Sequence, residues 1–125
     1  MKSRDNLVRL NQFKVNEKRR QLAQLDLMIG EFDRMAAELD AQIANEERKS
    51  GITDVSHFAY PTFARAARLR RDNLKNSRAD LVTQRTGVET ALGEAEDELA
   101  KANAMETRDA RTREADYSDR RAMIG

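Results

Sequence analysis

Apolar residues return every seven positions along the first part of the chain, which is the spacing of a helix that packs lengthwise on another helix. One row of this heptad pattern is apolar throughout: Val8, Val15, Leu22, Ile29, Ala36 and Ile43. The second row is more polar at its ends: Asn11, Lys18, Leu25, Phe32, Leu39 and Glu46. The two rows form a narrow stripe, here called the seam. They predict a long helix over about residues 5–48.

A second heptad pattern follows residue 61 and predicts another long helix, ending near residue 106. One of its rows is apolar: Ala67, Leu74, Leu81, Val88, Ala95 and Ala102. The other row begins with arginines: Arg71, Arg78, Arg85, Leu92, Leu99 and Glu106. Because a charged residue in a seam weakens apolar packing, the sequence defines this register less firmly than the first.

The segment 49–60 interrupts both patterns and predicts a bend. Gly51 fits a left-handed cap at the end of a helix, and Pro61 suits the first turn of the next helix. The only histidine, His57, and three of the six aromatic residues lie within residues 51–63: Phe58, Tyr60 and Phe63. A bend does not require three aromatic rings. They either fill the end of a hairpin or present a contact surface, and both roles hold if one ring faces in and another faces out.

Charge is arranged in four blocks of alternating sign. The net charge is +5 over residues 1–20, −6 over 21–47, +5 over 61–86 and −5 over 87–106. Antiparallel pairing around the bend sets each block beside a block of opposite sign, whereas parallel pairing sets like charges together. The alternative is that the blocks are chance variation on solvated helix faces.

These patterns predict an all-α fold, an antiparallel two-helix coiled-coil hairpin formed by a single domain. In this register Val8 lies near Ala102, and Ile43 lies near Ala67. Residues 107–125 have no sustained apolar seam. We expect this charged tail to fray, or to become helical only when it is bound.

Composition argues against several classes of function. Charged residues make up 36% of the 125 residues and aromatic residues 5%, which is typical of a coiled coil. There is no cysteine, and His57 has no second histidine to share a metal site with, so no metal or other cofactor is expected. The clustered acids Glu94, Glu96, Asp97 and Glu98 spread around a helix without a cleft. An enzyme is therefore not expected.

Nucleic acid and membrane are also poor candidates as partners. The basic run over residues 65–78 is predicted to lie beside an acidic segment of the first helix, which cancels much of its field. No apolar run approaches the roughly 18 residues of a membrane span. We expect a cytoplasmic protein without direct membrane insertion.

Two segments resemble short alphaproteobacterial members of the flagellar export protein FliJ family: MKSRDNLVRLNQFKVNEKRRQLAQLDLMIGEFDRMAAELDAQI and, more specifically, HFAYPTFARAARLRRDNL. The resemblance covers nearly the whole chain and weakens after about residue 105. Members of this family look like the central stalk of rotary ATPases. The resemblance implies a non-enzymatic component of the flagellar type III protein export apparatus, peripheral to the inner membrane at the flagellar base. The implied partners are the hexameric export ATPase, the cytoplasmic part of the export gate membrane protein, and export chaperones.

The resemblance also implies two sets of contact residues. The set for the ATPase ring is Arg4, Leu7, Val8, Phe13, Ala102 and Met105. The set for the export gate is Tyr60, Phe63, Ala67 and Leu74. The chain is shorter than the longer members of the family and has no tryptophan at the bend.

An alternative function is that of a generic coiled-coil scaffold or spacer that self-associates into a four-helix bundle. The polar, arginine-containing seam instead favours a monomeric hairpin that keeps its surface for partners.

Overall fold

The computed structural model describes residues 2–124, which form two helices and no strand. Helix α1 spans Lys2–Ser50 and helix α2 spans Thr62–Ile124. The chain divides into two compact units, each built from a segment of both helices. The turn unit is Ala23–Gly87, and the terminal unit is Met1–Leu22 with Val88–Gly125. This is the all-α helical hairpin that the sequence predicts.

The turn unit packs through the predicted seam. Leu39 and Ile43 of α1 are buried together with Ala67 of α2, and Leu74 packs against them. Leu81 is also buried. In this unit every residue of the predicted heptad rows is buried or half-buried, so the register that places Ile43 near Ala67 is confirmed.

The three seam arginines of α2 reach aspartates of α1. The ion pairs are Arg71 with Asp40, Arg78 with Asp33 and Arg85 with Asp26, each within 3.0 Å, and together they are named the Asp–Arg ladder. The partners descend by seven residues along α1 as they ascend by seven along α2, which makes the helices antiparallel. Because a guanidinium group sits on a long apolar stem, an arginine can pack that stem in the seam and still reach a carboxylate at its edge.

The terminal unit continues the same pattern. Val15 and Ala102 are buried, and Val8 is half-buried. Asn11 is a buried polar residue whose side-chain amide donates to the carbonyl oxygen of Leu7 at 2.9 Å, which satisfies one of its donors. Ion pairs cross between the helices from Arg4 to Asp109 at 3.1 Å and from Arg19 to Glu96 at 3.6 Å. Their order shows that the helices are antiparallel here as well.

The expected end of the second helix near residue 106 is wrong. α2 continues through residues 107–124, and this stretch is rich in helix-forming residues and contains neither glycine nor proline. Arg113 pairs with Glu106 at 3.3 Å, which ties this stretch to the preceding turns. Every side chain from 111 to 124 is exposed. The tail is therefore helical without being packed, and its final residue, 125, lies outside the described residues.

Replacing Leu39 by alanine is expected to lower the free energy of unfolding by about 2–4 kcal/mol, because it removes a buried side chain from the core of the turn unit. Leu69→Ala is the matched control, since Leu69 is 64% exposed and its loss should cost less than about 0.5 kcal/mol. Urea unfolding followed by circular dichroism measures both. Equal losses for the two variants would contradict the assigned seam.

Candidate partner-binding surfaces

The connection between α1 and α2, residues 51–61, is fixed by its own hydrogen bonds. Gly51 has a φ of 73°, a left-handed value that glycine adopts without a Cβ clash, and its N–H donates to the Glu47 carbonyl oxygen at 2.9 Å. The predicted helix cap is confirmed. The Asp54 carboxylate accepts hydrogen bonds from the Ser56 hydroxyl at 2.7 Å and the Ser56 N–H at 3.0 Å. These bonds lower the pKa of Asp54 below its ordinary value of 3.8.

Tyr60 closes the turn end of the hairpin. Its ring is 4% exposed, and its hydroxyl donates to a carboxylate oxygen of Glu47 at 3.1 Å. The Arg65 guanidinium lies over the ring, 5.4 Å from the centroid. Burial, and next the bond to Glu47, raise the pKa of Tyr60 above its ordinary value of 10.0. The end of α1 and the start of α2 are thereby joined through one side chain.

The other two aromatic rings of the turn face outward. Phe58 is 95% exposed and stacks on His57, with 4.8 Å between ring centroids. The Nδ1 atom of His57 accepts a hydrogen bond from the Ala59 N–H at 3.0 Å, which gives this histidine a structural role. Phe63, in the first turn of α2, is 57% exposed. Tyr60 is therefore the plug, whereas Phe58 and Phe63 are exposed and their contact role stays a prediction.

The set implied for the export gate is divided by burial. Tyr60 and Ala67 lie inside the hairpin, which corrects the expectation that they present a contact surface. Leu74 is half-buried and borders a shallow open groove that also includes the exposed Met35. Phe63 is the one member with a largely exposed apolar side chain.

The set implied for the ATPase ring is divided in the same way. Phe13 and Leu7 are exposed, and Val8 and Met105 are half-buried. Ala102 is 2% exposed, so it packs the seam and does not present the contact surface expected of it. The remaining member, Arg4, is half-buried in its ion pair with Asp109.

The structure places Leu10 beside two members of this second set. Leu10 is 50% exposed and lies three residues from both Leu7 and Phe13, so the three side chains follow one face of α1. Leu7, Leu10 and Phe13 are together named the terminal stripe. Sequence reasoning missed Leu10 because it lies outside both heptad rows and, unlike Leu7 and Phe13, is not in the contact set that the resemblance implies. The spacing of three residues on either side was the available signal.

Within the stretch that the structure describes, no cluster of three or more histidine and acidic side chains is arranged to hold a metal ion. Neither of the described helices contains an apolar stretch sufficient to cross a membrane. Comparison with protein-family models, curated proteins and solved structures gives no match.

Tyr60→Phe is expected to lower the free energy of unfolding by about 1 kcal/mol at neutral pH, because it removes one hydrogen bond at the turn. The folded state raises the pKa of Tyr60, so the phenol of the unfolded chain ionises first as the pH rises. This contribution is full below pH 10.0 and is lost as the pH rises from there through the folded-state pKa.

Urea unfolding between about pH 8 and about pH 11 tests this dependence. The wild type should lose more stability than Tyr60→Phe over this range, and Tyr117→Phe should behave as the wild type does. Parallel pH profiles for the wild type and Tyr60→Phe would contradict the assigned role of the Tyr60 hydroxyl.

Proposed function

We propose that the chain is a non-enzymatic stalk and coupling factor of the flagellar type III protein export apparatus. It would act on the export ATPase ring, contact the export gate and export chaperones, and work in the cytoplasm at the flagellar base. One observation carries the proposal beyond the sequence resemblance. The seam residues of α1 and α2 are buried or half-buried against each other. Large apolar side chains nevertheless remain exposed in both regions where that resemblance implies contacts: Leu7, Leu10, Phe13, Phe58 and Phe63.

The terminal unit supports a role inside a ring-shaped partner. The terminal stripe presents three large apolar side chains on α1, flanked by the exposed bases Arg9 and Lys14. The end of α2 adds a helix whose side chains from 111 to 124 are all exposed. Exposed apolar side chains that adjoin one another are typical of a surface that a protein partner covers.

The turn unit supports a second contact. Phe63 stands at the start of α2, and Phe58 stands on a turn held by hydrogen bonds to its neighbours. Because hydrogen bonds already hold the turn in one conformation, binding of a partner to these rings would cost little free energy for ordering the turn. This favours Phe63 over Tyr60 and Ala67 as the residue that a gate protein contacts.

A self-associating scaffold is the second candidate function. It is favoured by exposed apolar side chains on α1 in the turn unit, Leu27, Met28 and Met35. Two hairpins packed through these residues would form a four-helix bundle. Sedimentation at micromolar concentration separates the two candidates, since the stalk requires a monomer and the scaffold a dimer.

Mixing the chain with the flagellar export ATPase of the same organism should stimulate both ATP hydrolysis and ring assembly. Phe13→Asp should raise the concentration for half-maximal stimulation about tenfold, or about 1.4 kcal/mol, because it places a charge in the terminal stripe. Leu99→Asp and deletion of residues 107–125 should also weaken stimulation. Leu27→Asp is the matched control, since Leu27 is 71% exposed and lies in the turn unit. Equal effects of Phe13→Asp and Leu27→Asp, or no stimulation by the wild type, would contradict the proposal.

Phe63→Ala should weaken binding to the cytoplasmic part of the export gate by about tenfold and leave the helical content unchanged, because its ring is 57% exposed. Val82→Ala, a change further along the same helix, should leave binding unchanged. Isothermal titration and circular dichroism measure the two effects. A large loss of helix, or full binding by Phe63→Ala, would oppose a contact role for this ring.

A further inference from the structure

The Asp–Arg ladder uses part of a longer row of acids. Four acids of α1 follow one another at intervals of seven residues: Asp26, Asp33, Asp40 and Glu47. Three arginines of α2 have the same spacing: Arg71, Arg78 and Arg85. The first three acids hold the arginines, and Glu47 accepts the hydrogen bond of Tyr60. The row therefore contains one more acid than there are arginines.

The surplus acid makes a second register possible. If α1 slides by one heptad along α2, Glu47 comes beside Arg71. The same shift brings Asp40 beside Arg78 and Asp33 beside Arg85, so three ion pairs form again. A shift in the opposite direction leaves Arg85 without an acid of this row. The charges thus allow a shift in one direction only.

The apolar seam tolerates the same shift, because its period is also seven residues. Ile43, which now packs in one cluster with Ala67, would face Leu74. Ala36 would face Leu81. The core of the turn unit keeps an apolar residue on each side at both of these positions.

The turn is long enough to permit the shift. Antiparallel helices can be joined by about 2–5 residues, and here residues 51–61 connect them. Sliding by seven residues moves one helix by roughly 10 Å, whereas eleven extended residues reach about 36 Å. Because α1 and α2 are each continuous, the slide also carries their segments in the terminal unit, so the ion pairs of Arg4 with Asp109 and of Arg19 with Glu96 would have to break.

Tyr60 is the side chain that opposes the shift. It is buried at the end of the hairpin, and its hydroxyl donates a hydrogen bond to Glu47. Glu47 is the acid that would have to pair with Arg71 in the shifted register. We propose that α1 and α2 exchange between two registers one heptad apart, and that the Tyr60–Glu47 hydrogen bond holds the register seen here. A partner that withdraws Tyr60 from the turn would release Glu47 to Arg71. The inference concerns the hairpin alone and does not depend on the proposed export function.

The absence of cysteine allows the registers to be read by disulfide formation in the full chain. Ile43→Cys with Ala67→Cys reports the present register, and Ile43→Cys with Leu74→Cys reports the shifted one. Ile43→Cys with Leu81→Cys lies a further heptad away and reports nonspecific encounters. Circular dichroism of each variant verifies that it remains helical.

The present-register pair should cross-link fastest. Tyr60→Phe should raise the cross-linking rate of the shifted pair about fivefold, while the nonspecific pair stays unchanged. Adding Glu47→Gln to Tyr60→Phe should abolish the increase, because it removes the charge that Arg71 would bind. Tyr117→Phe is the matched control and should have no effect.

Three results would overturn the inference. A shifted pair no faster than the nonspecific pair in the Tyr60→Phe background would exclude a defined second register. An equal rate for the shifted pair with and without the Tyr60 hydroxyl would exclude Tyr60 as the restraint. An increase that persists after Glu47→Gln would show that the surplus acid does not stabilise the shifted register.

Discussion

The Asp–Arg ladder is the interaction on which the pairing of α1 and α2 in the turn unit depends. Without the aspartates that α1 presents beside the seam, each half-buried seam arginine of α2 would lose the ion pair that joins it to the other helix. A pair of exposed charges stabilises a fold by only about 0.2–1 kcal/mol. The three pairs therefore matter less for the free energy of unfolding than for the relative orientation of the two helices. They favour the antiparallel arrangement, because it alone sets the acidic block of α1 against the basic block of α2.

A seam of this kind is narrow, and its width determines which apolar side chains stay exposed and available to partners. Arginine and alanine occupy many positions of α2 where leucine would pack more tightly. Two helices cover little of each other, so large apolar residues outside the seam stay exposed, as at Phe13 and Phe63. At the turn, one ring is used to close the hairpin, and the other two are left in solvent. The narrow contact between the helices thus accounts for both the hairpin and its exposed apolar surfaces.

The sequence predicted the parts of the structure that repeat. The heptad patterns of both helices and the cap at Gly51 were predicted correctly, because periodicity and a helix-ending glycine can be recognised from local sequence. The end of α2 was predicted wrongly. An apolar seam indicates where a helix packs on another helix, whereas residues 107–124 form a helix that has no such seam. The choice of Tyr60 as the buried ring depends on Glu47 and Arg65, which the fold brings together from two helices. The ladder itself was missed because its aspartates lie one position outside the seam rows.

Exchanging the charges of the ladder tests the central claim most directly. One triple variant carries Asp26→Arg, Asp33→Arg and Asp40→Arg, and the other carries Arg71→Asp, Arg78→Asp and Arg85→Asp. Thermal unfolding of both triples and of the combined variant is followed by circular dichroism. If the pairing of the two helices depends on the ladder, each triple lowers the midpoint and the combined variant recovers most of the loss. A combined variant no more stable than the weaker triple would contradict it.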